Sequence, residues 1–162
     1  MASVRRIIGG VSILAIMAVM FAAGWLVAKT GTGAAVDPAS LSEKERRFTE
    51  RMKDSSLVGN FTLAGREGAS PDRYDIAGVD KVSDGRWRFN VRMRHSTVDV
   101  TLPIAVPVEW VGDTPMVVLT DAAIPGVGTF SARVLFDGDR YAGTWQGGAY
   151  GGLMYGRIEK QK

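Results

Sequence analysis

The chain has 162 residues, of which 46% are hydrophobic, and it contains no cysteine. The missing thiols exclude disulfide bonds, thiolate metal sites and lipid attachment to an N-terminal cysteine. Its net charge of +3 comes from the N-terminal region, because Arg5, Arg6 and Lys29 leave 17 basic against 17 acidic residues after position 30. A nucleic-acid-binding domain carries excess positive charge, so we expect no nucleic-acid partner.

The first predicted element is a transmembrane helix over residues 7–28, an uncharged run between Arg6 and Lys29. A helix of this length extends about 33 Å, enough to cross a hydrocarbon core of about 30 Å. Within lipid, a helix is the one single-pass structure that pairs all of its own backbone groups. Residues 1–29 are therefore predicted to be an N-terminal tail and a signal anchor that makes the protein integral to the membrane.

A cleaved signal peptide is the alternative, since Gly33-Ala34-Ala35 offers small residues at a suitable place. The apolar run is longer than the roughly 7–15 residues typical of such peptides, which favours the uncleaved anchor. The short tail with Arg5 and Arg6 is expected to stay in the cytoplasm. This predicts a single-pass protein of a bacterial inner (cytoplasmic) membrane, with its C-terminal domain on the extracytoplasmic side.

Residues 30–40 are small, polar and interrupted by Pro38, which predicts a linker between the anchor and a domain over residues 41–162. That domain opens with a predicted amphipathic helix over residues 42–54. Its start fits a capping box in either of two serine–glutamate pairs: Ser42 with Glu45, or Ser40 with Glu43. Phe48 and Met52 form a narrow apolar stripe that is expected to pack on the following sheet; a helix lying on the membrane surface is the alternative.

Beyond residue 56 the hydrophobic period changes from 3.6 to 2, which indicates strands. The clearest are residues 86–94 and 98–110. Pro103 and Pro107 cannot donate to a ladder, so the second of these strands is predicted to be an edge or to bend between sheets. Six more strands are predicted, over residues 57–63, 73–82, 116–122, 129–136, 141–147 and 153–159.

Short turns rich in glycine, aspartate and proline separate these eight strands. The pattern predicts a mainly β fold, an antiparallel meander closed into a lipocalin-like barrel, with a two-layer sandwich as the second choice. The glycine-rich residues 143–152 lack the ending of a phosphate-binding loop and are predicted to form the last hairpin. Tyr141 and Trp145 share one face there and are expected to point inward.

No catalytic or metal site is predicted, and no cofactor is expected. His95 is the one histidine, which leaves no spacing of metal ligands and no serine-hydrolase motif around it. A pair of carboxylates brought together by the fold stays open as the basis of a hydrolase.

The candidate ligand-binding residues lie on the strand over residues 86–94 and in the last hairpin. The basic candidates, which could hold anionic lipid headgroups or an acidic polymer, are Arg86, Arg88, Arg92 and Arg94. The aromatic candidates are Trp87, Phe89 and Trp145. In the alternative interpretation the arginines form a solvated strand face, with Arg94 opposite Asp99 and Arg92 opposite Thr101 in a hairpin.

Four segments resemble an uncharacterised family of bacterial envelope proteins with an N-terminal anchor: residues 57–62, 107–115, 124–130 and 141–146. The resemblance implies an envelope location and brings no known activity or site residues. The sequence Gly143-Thr144-Trp145 is also similar to avidin-like and lipocalin-like barrels, which implies a general barrel shape.

Together these observations predict a membrane-anchored binding or interaction module of the bacterial envelope. Its ligand could be a lipid, a glycan or a protein. The alternatives from other classes are a carboxylate-based envelope hydrolase and a structural or assembly subunit.

Overall fold

The computed structural model describes residues 33–95, 98–124 and 128–162. The predicted anchor over residues 7–28 lies outside these ranges. Among the described residues, no helix combines the length and the apolar character needed to cross a bilayer.

Eight antiparallel strands form a closed barrel in which each strand pairs with its neighbours in sequence, and the first pairs with the last. They are β1 (Ser55–Phe61), β2 (Ser70–Ser83), β3 (Arg86–His95), β4 (Val98–Val111), β5 (Thr114–Ile124), β6 (Gly128–Asp137), β7 (Arg140–Gly147) and β8 (Tyr150–Lys160). The predicted mainly β meander and its barrel form are confirmed, and the sandwich is not formed. Most strands begin and end within three residues of their predicted bounds.

Helix α1 (Glu43–Met52) closes one end of the barrel, here called the helix end. Phe48 is 3% exposed and Met52 is fully buried. The Phe48 ring lies 5.4–6.1 Å, between centroids, from four inward aromatic rings: Trp87, Phe89, Trp110 and Phe136. The predicted apolar stripe therefore inserts into the barrel opening, so that one helical turn completes the aromatic core.

Polar contacts hold α1 in this position around the barrel. The Glu45 carboxylate accepts from the Ser42 N–H at 2.8 Å and pairs with Lys81 of β2 at 2.8 Å. Desolvation raises the pKa of Glu45, but the hydrogen bonds from Lys81 and Ser42 outweigh it and leave that pKa below its ordinary value. At the turn between β4 and β5, Arg47 pairs with Asp113 at 2.9 Å. Of the two predicted capping pairs, the structure forms the one at Ser42.

Strand β4 changes its partner along its length. Residues 98–107 pair with β3, whereas residues 108–111 pair with β5. In the described part of the barrel, no ladder pair joins residues 103–107 to residues 118–122. The N–H of Val108 donates toward β3, to the carbonyl of Gly85 at 2.8 Å. Because successive backbone groups alternate in direction, the nitrogens of Pro103 and Pro107 face the unpaired side, where no ladder hydrogen bond is lost.

Glycines on β1, β7 and β8 allow neighbouring backbones and one tyrosine ring to approach closely. A Cβ atom on Gly143 would collide with the carbonyl oxygen of Arg133 on β6. A Cβ on Gly156 would lie 2.8 Å from the ring of Tyr141, and a Cβ on Gly59 would lie 2.6 Å from its hydroxyl. The Tyr141 ring thus crosses β8 and reaches β1, covering space that larger side chains would fill.

Replacing Phe48 with alanine should lower the free energy of unfolding by about 3–5 kcal/mol, because the cavity left behind is surrounded by rings that cannot collapse into it. Denaturant unfolding of the full chain in detergent, followed by tryptophan fluorescence, measures this. Glu50→Ala, at an exposed position of the same helix, is the control and should change stability little. A loss below about 1 kcal/mol for Phe48→Ala would contradict the insertion of α1 into the barrel.

Gly143→Ala should destabilise the barrel by roughly 1–3 kcal/mol or more, because the new methyl group forces β6 and β7 apart. The matched control is Gly78→Ala, a glycine of β2 whose Cβ would meet nothing within 4 Å. Thermal unfolding of both variants provides the comparison, and equal melting temperatures would contradict the close approach of β6 and β7.

Candidate functional site

The candidate site lies inside the barrel between the aromatic core at the helix end and the opposite, or far, end. At the helix end, Phe48 and the four aromatic rings around it fill the interior. Beyond that core the interior contains polar side chains from β2 and β7, chiefly Asp72, Tyr74, Tyr141 and Trp145. Alternation along the strands directs these four side chains inward, since Leu57, Phe136 and other core residues share their parity.

Asp72 is a half-buried carboxylate opposite Gly59 of β1. Burial raises the pKa of Asp72 above its ordinary value, while hydrogen bonds from the Tyr74 hydroxyl and the Arg73 backbone N–H lower it in part. Burial, together with the charge of Asp72, also raises the pKa of Tyr74. The two residues therefore form an acid–phenol pair in which the phenol stays protonated and donates.

Tyr141 and Trp145 contribute buried polar atoms that have no hydrogen-bond partner: the hydroxyl of Tyr141 and the indole Nε1 of Trp145. Burial and the nearby charge of Asp72 raise the pKa of Tyr141 to about 12, so its hydroxyl keeps its proton. An unpaired buried polar group costs about 1–3 kcal/mol. Each of these two groups marks a position in the interior that a polar atom of a bound molecule or water would stabilise.

Aromatic rings frame Trp145 near the far end. Phe130 stacks on it with ring centroids 6.4 Å apart, and Phe61 meets it edge to face at 6.3 Å. Ile104 of β4 and Leu119 of β5 pack against the core on the opposite wall, beside the unpaired stretch between those strands. The far half of the barrel thus combines an apolar wall with a few directed polar groups.

The predicted aromatic candidates are divided between the two halves of the barrel. Trp87 is 1% exposed and Phe89 is 6% exposed, and both pack against Phe48 at the helix end. Trp145 lies in the far half with its indole nitrogen unpaired. The inward orientation predicted for Trp145 and Tyr141 is confirmed.

The arginines of β3 alternate with its buried residues, and the predicted register is confirmed: Arg92 lies opposite Thr101 and Arg94 opposite Asp99. Arg88 pairs with Asp80 of β2 at 3.1 Å, whereas Arg86 is exposed. The side chain of Arg94 lies outside the described part of the structure. Arg86, Arg88 and Arg92 occupy the outer surface, so they do not line the same site as Trp145.

Sequence reasoning missed Asp72 and Tyr74. Asp72 lies just before the strand predicted over residues 73–82, and Tyr74 is the second residue of that prediction. In the structure the strand starts earlier, at Ser70. A shift in register between Ile76 and Gly78 reverses the parity of the inward residues, so alternation read back from Val79 assigns Asp72 and Tyr74 to the outside. The alternation of Asp72, Tyr74 and Ile76 was the available signal.

The described residues offer little for hydrolysis or metal chemistry. Asp72 is the one carboxylate at a described inward position of the strands, so a pair of inward carboxylates is not formed there. No group of three potential metal ligands occurs within the residues that the structure covers. Comparisons with protein-family models, with curated proteins and with solved structures found no match to this chain.

Asp72→Asn should change the pH dependence of stability. The folded pKa of Asp72 lies above its ordinary 3.8, so ionisation increasingly opposes folding of the parent as the pH rises above that value, and asparagine removes this penalty. The free energy of unfolding of Asp72→Asn relative to the parent should therefore increase with pH. Asp137→Asn, at an exposed position, controls for the change in net charge. A difference that stays constant or decreases with pH would contradict the burial of this carboxylate.

Proposed function

We propose that this chain is a membrane-anchored binding module whose barrel holds one small, mainly apolar molecule with a hydrogen-bonding group. The observation that carries the proposal is the pair of buried, unpartnered donors, the Tyr141 hydroxyl and the Trp145 indole N–H, beside the desolvated Asp72. A ligand oxygen accepting from either donor would remove a desolvation cost that the unliganded barrel carries. The aromatic wall of Phe61 and Phe130 would hold the apolar part.

The division of the barrel into two halves supports this location. Phe48 and its neighbours occupy the helix end, so a ligand would sit in the far half and contact Trp145. An eight-strand barrel is just wide enough for its own side chains or for one small ligand. Of the ligand classes expected from the sequence, a lipid-like molecule fits this interior best, because one polar group accompanies an extensive apolar surface.

The anchor and the location complete the proposal. An uncleaved helix over residues 7–28 would hold the barrel at the extracytoplasmic side of a bacterial inner membrane. The apolar length of that run and its flanking Arg6 and Lys29 support this assignment. The resemblance to anchored envelope proteins agrees with this location, which stays a prediction.

The test is to purify the full chain in mild detergent and to identify small molecules released on denaturation by mass spectrometry. A stoichiometric lipid-like compound is expected from the parent. Tyr141→Phe and Trp145→Phe each remove one donor and keep a ring, so each should weaken the affinity for the ligand about tenfold, for a lost hydrogen bond of about 1.4 kcal/mol, and should reduce ligand occupancy.

Tyr150→Phe is the matched control, since it removes a hydroxyl from a tyrosine that is 63% exposed, and it should leave occupancy unchanged. A parent that releases nothing and shows no saturable change in tryptophan fluorescence with lipid-like ligands would overturn the proposed function. Equal occupancy in the parent and in both donor variants would overturn the assignment of the site.

A further inference from the structure

The N-terminal side of the described chain contacts the outer surface of the barrel at β2 and β3. The N–H of Val36 donates to the carbonyl of Lys81 at 2.8 Å, and Arg88 donates from Nη1 to the carbonyl of Gly33 at 3.2 Å. A Cβ on Gly33 would lie 3.6 Å from Cβ of Val82. The chain is thus attached to one side of the barrel as far back as residue 33.

This attachment limits the distance between that side of the barrel and the membrane. Three residues lie between Gly33 and Lys29, the charge that follows the proposed span. An extended chain covers at most about 3.3–3.6 Å per residue, so the four steps from Lys29 to Gly33 reach no more than about 14 Å. The outer surface around Gly33 must therefore lie within about 14 Å of the end of the anchor.

The same surface carries a row of arginines. Outward positions of β3 place Arg86, Arg88 and Arg92 in line beside the attachment point. The acidic groups near them include Asp75, which lies opposite Arg92, Asp80, which pairs with Arg88 at 3.1 Å, and Asp84, which pairs with Lys81 at 3.3 Å. Arg86 is exposed, and its cross-strand neighbours Ser83 and Pro107 carry no charge.

We infer that the outer face of β3 rests against the bilayer and that Arg86 binds the phosphate of an anionic lipid. Arginine matches phosphate through paired N–H donors, and each basic residue near an anionic surface contributes about fivefold to the binding equilibrium. Arg88 acts as a positioning residue, because it bonds to Asp80 and to Gly33. These bonds fix the segment that precedes the helix, residues 30–36, here called the tether, to this face at Gly33. The inference rests on the proposed anchor, and it adds the orientation of the barrel.

A rival surface lies on the other side of the barrel. Leu153 and Tyr155 of β8 are 53% and 43% exposed, beside Ala142 of β7. β7 is four strands from β3 in an eight-strand barrel, so the two faces cannot both contact a flat membrane. The short tether favours β3, and a measurement that compares the two faces distinguishes them.

The experiment uses the full chain in nanodiscs, and the absence of native cysteine allows one dye to be placed at a time. Ser83→Cys reports on the β3 face and Thr144→Cys on the β7 face, both at exposed positions. A quencher attached to the lipid headgroups should quench the dye at position 83 more strongly than the dye at position 144 in discs containing phosphatidylglycerol. Quenching that is equal at the two positions, or stronger at position 144, would overturn the inference.

The variant Arg86→Gln tests the role of charge. Loss of one basic contact should shift the docked equilibrium by roughly fivefold and weaken the preference for position 83. The matched control, Arg140→Gln, removes the same charge from the opposite side and should preserve the preference. If the Arg86 variant keeps the full preference, Arg86 does not bind the lipid phosphates.

Carbonate extraction of native membranes separates this inference from the anchor on which it depends. Release of the full-length chain would overturn the anchor and the inference together. Retention of the chain with equal quenching at both positions would overturn the orientation alone.

Discussion

The insertion of Phe48 into the end of the barrel is the contact on which the rest of the structure depends. A small barrel must fill its interior, and here four inward aromatic rings leave a space that one phenylalanine from α1 occupies. The helix is fixed in turn by Glu45 with Lys81 on one side and by Arg47 with Asp113 on another. Because Lys81 also accepts the Val36 N–H through its carbonyl, the tether, the helix and the core form one connected unit.

That arrangement divides the barrel into halves with different chemistry. The helix end is stabilised by apolar burial, whereas the centre and far end retain Asp72, Tyr74 and the unpaired donors of Tyr141 and Trp145. Gly59 on β1 and Gly156 on β8 give the Tyr141 ring room to reach toward Asp72. A barrel selected for stability alone would place apolar side chains at these positions, since each unpaired buried donor costs about 1–3 kcal/mol. The cost is understandable if the groups serve a bound molecule.

The two-residue alternation of apolar and polar side chains was sufficient to predict the strands. This alternation is a property of each strand alone and can be read without knowing which strands pair. The register of β3 with β4 also followed, because a two-residue connection leaves one pairing that matches the faces. The insertion of α1 depends on residues distant in sequence, so only its apolar stripe was visible beforehand. The closure of β1 on β8 was predicted from the number of strands and their short turns, with a sandwich as the second choice. The candidate site was largely hidden for a different reason. The register shift after Ile76 reverses the faces of β2, so alternation read from the rest of the strand assigns Asp72 to the outside, and only the short alternation of Asp72, Tyr74 and Ile76 indicates that it points inward.

The change of partner along β4 connects the interior with the proposed orientation. Pro103 and Pro107 direct their nitrogens toward β5, where the described strands form no ladder over residues 103–107 and 118–122. A stretch without ladder hydrogen bonds separates at lower free energy than a paired one. This unpaired stretch adjoins β3, on the side of the barrel that the tether holds. With the β3 face against the bilayer, the unpaired stretch would lie beside the lipid, and a lipid-like ligand could pass between membrane and barrel without crossing water.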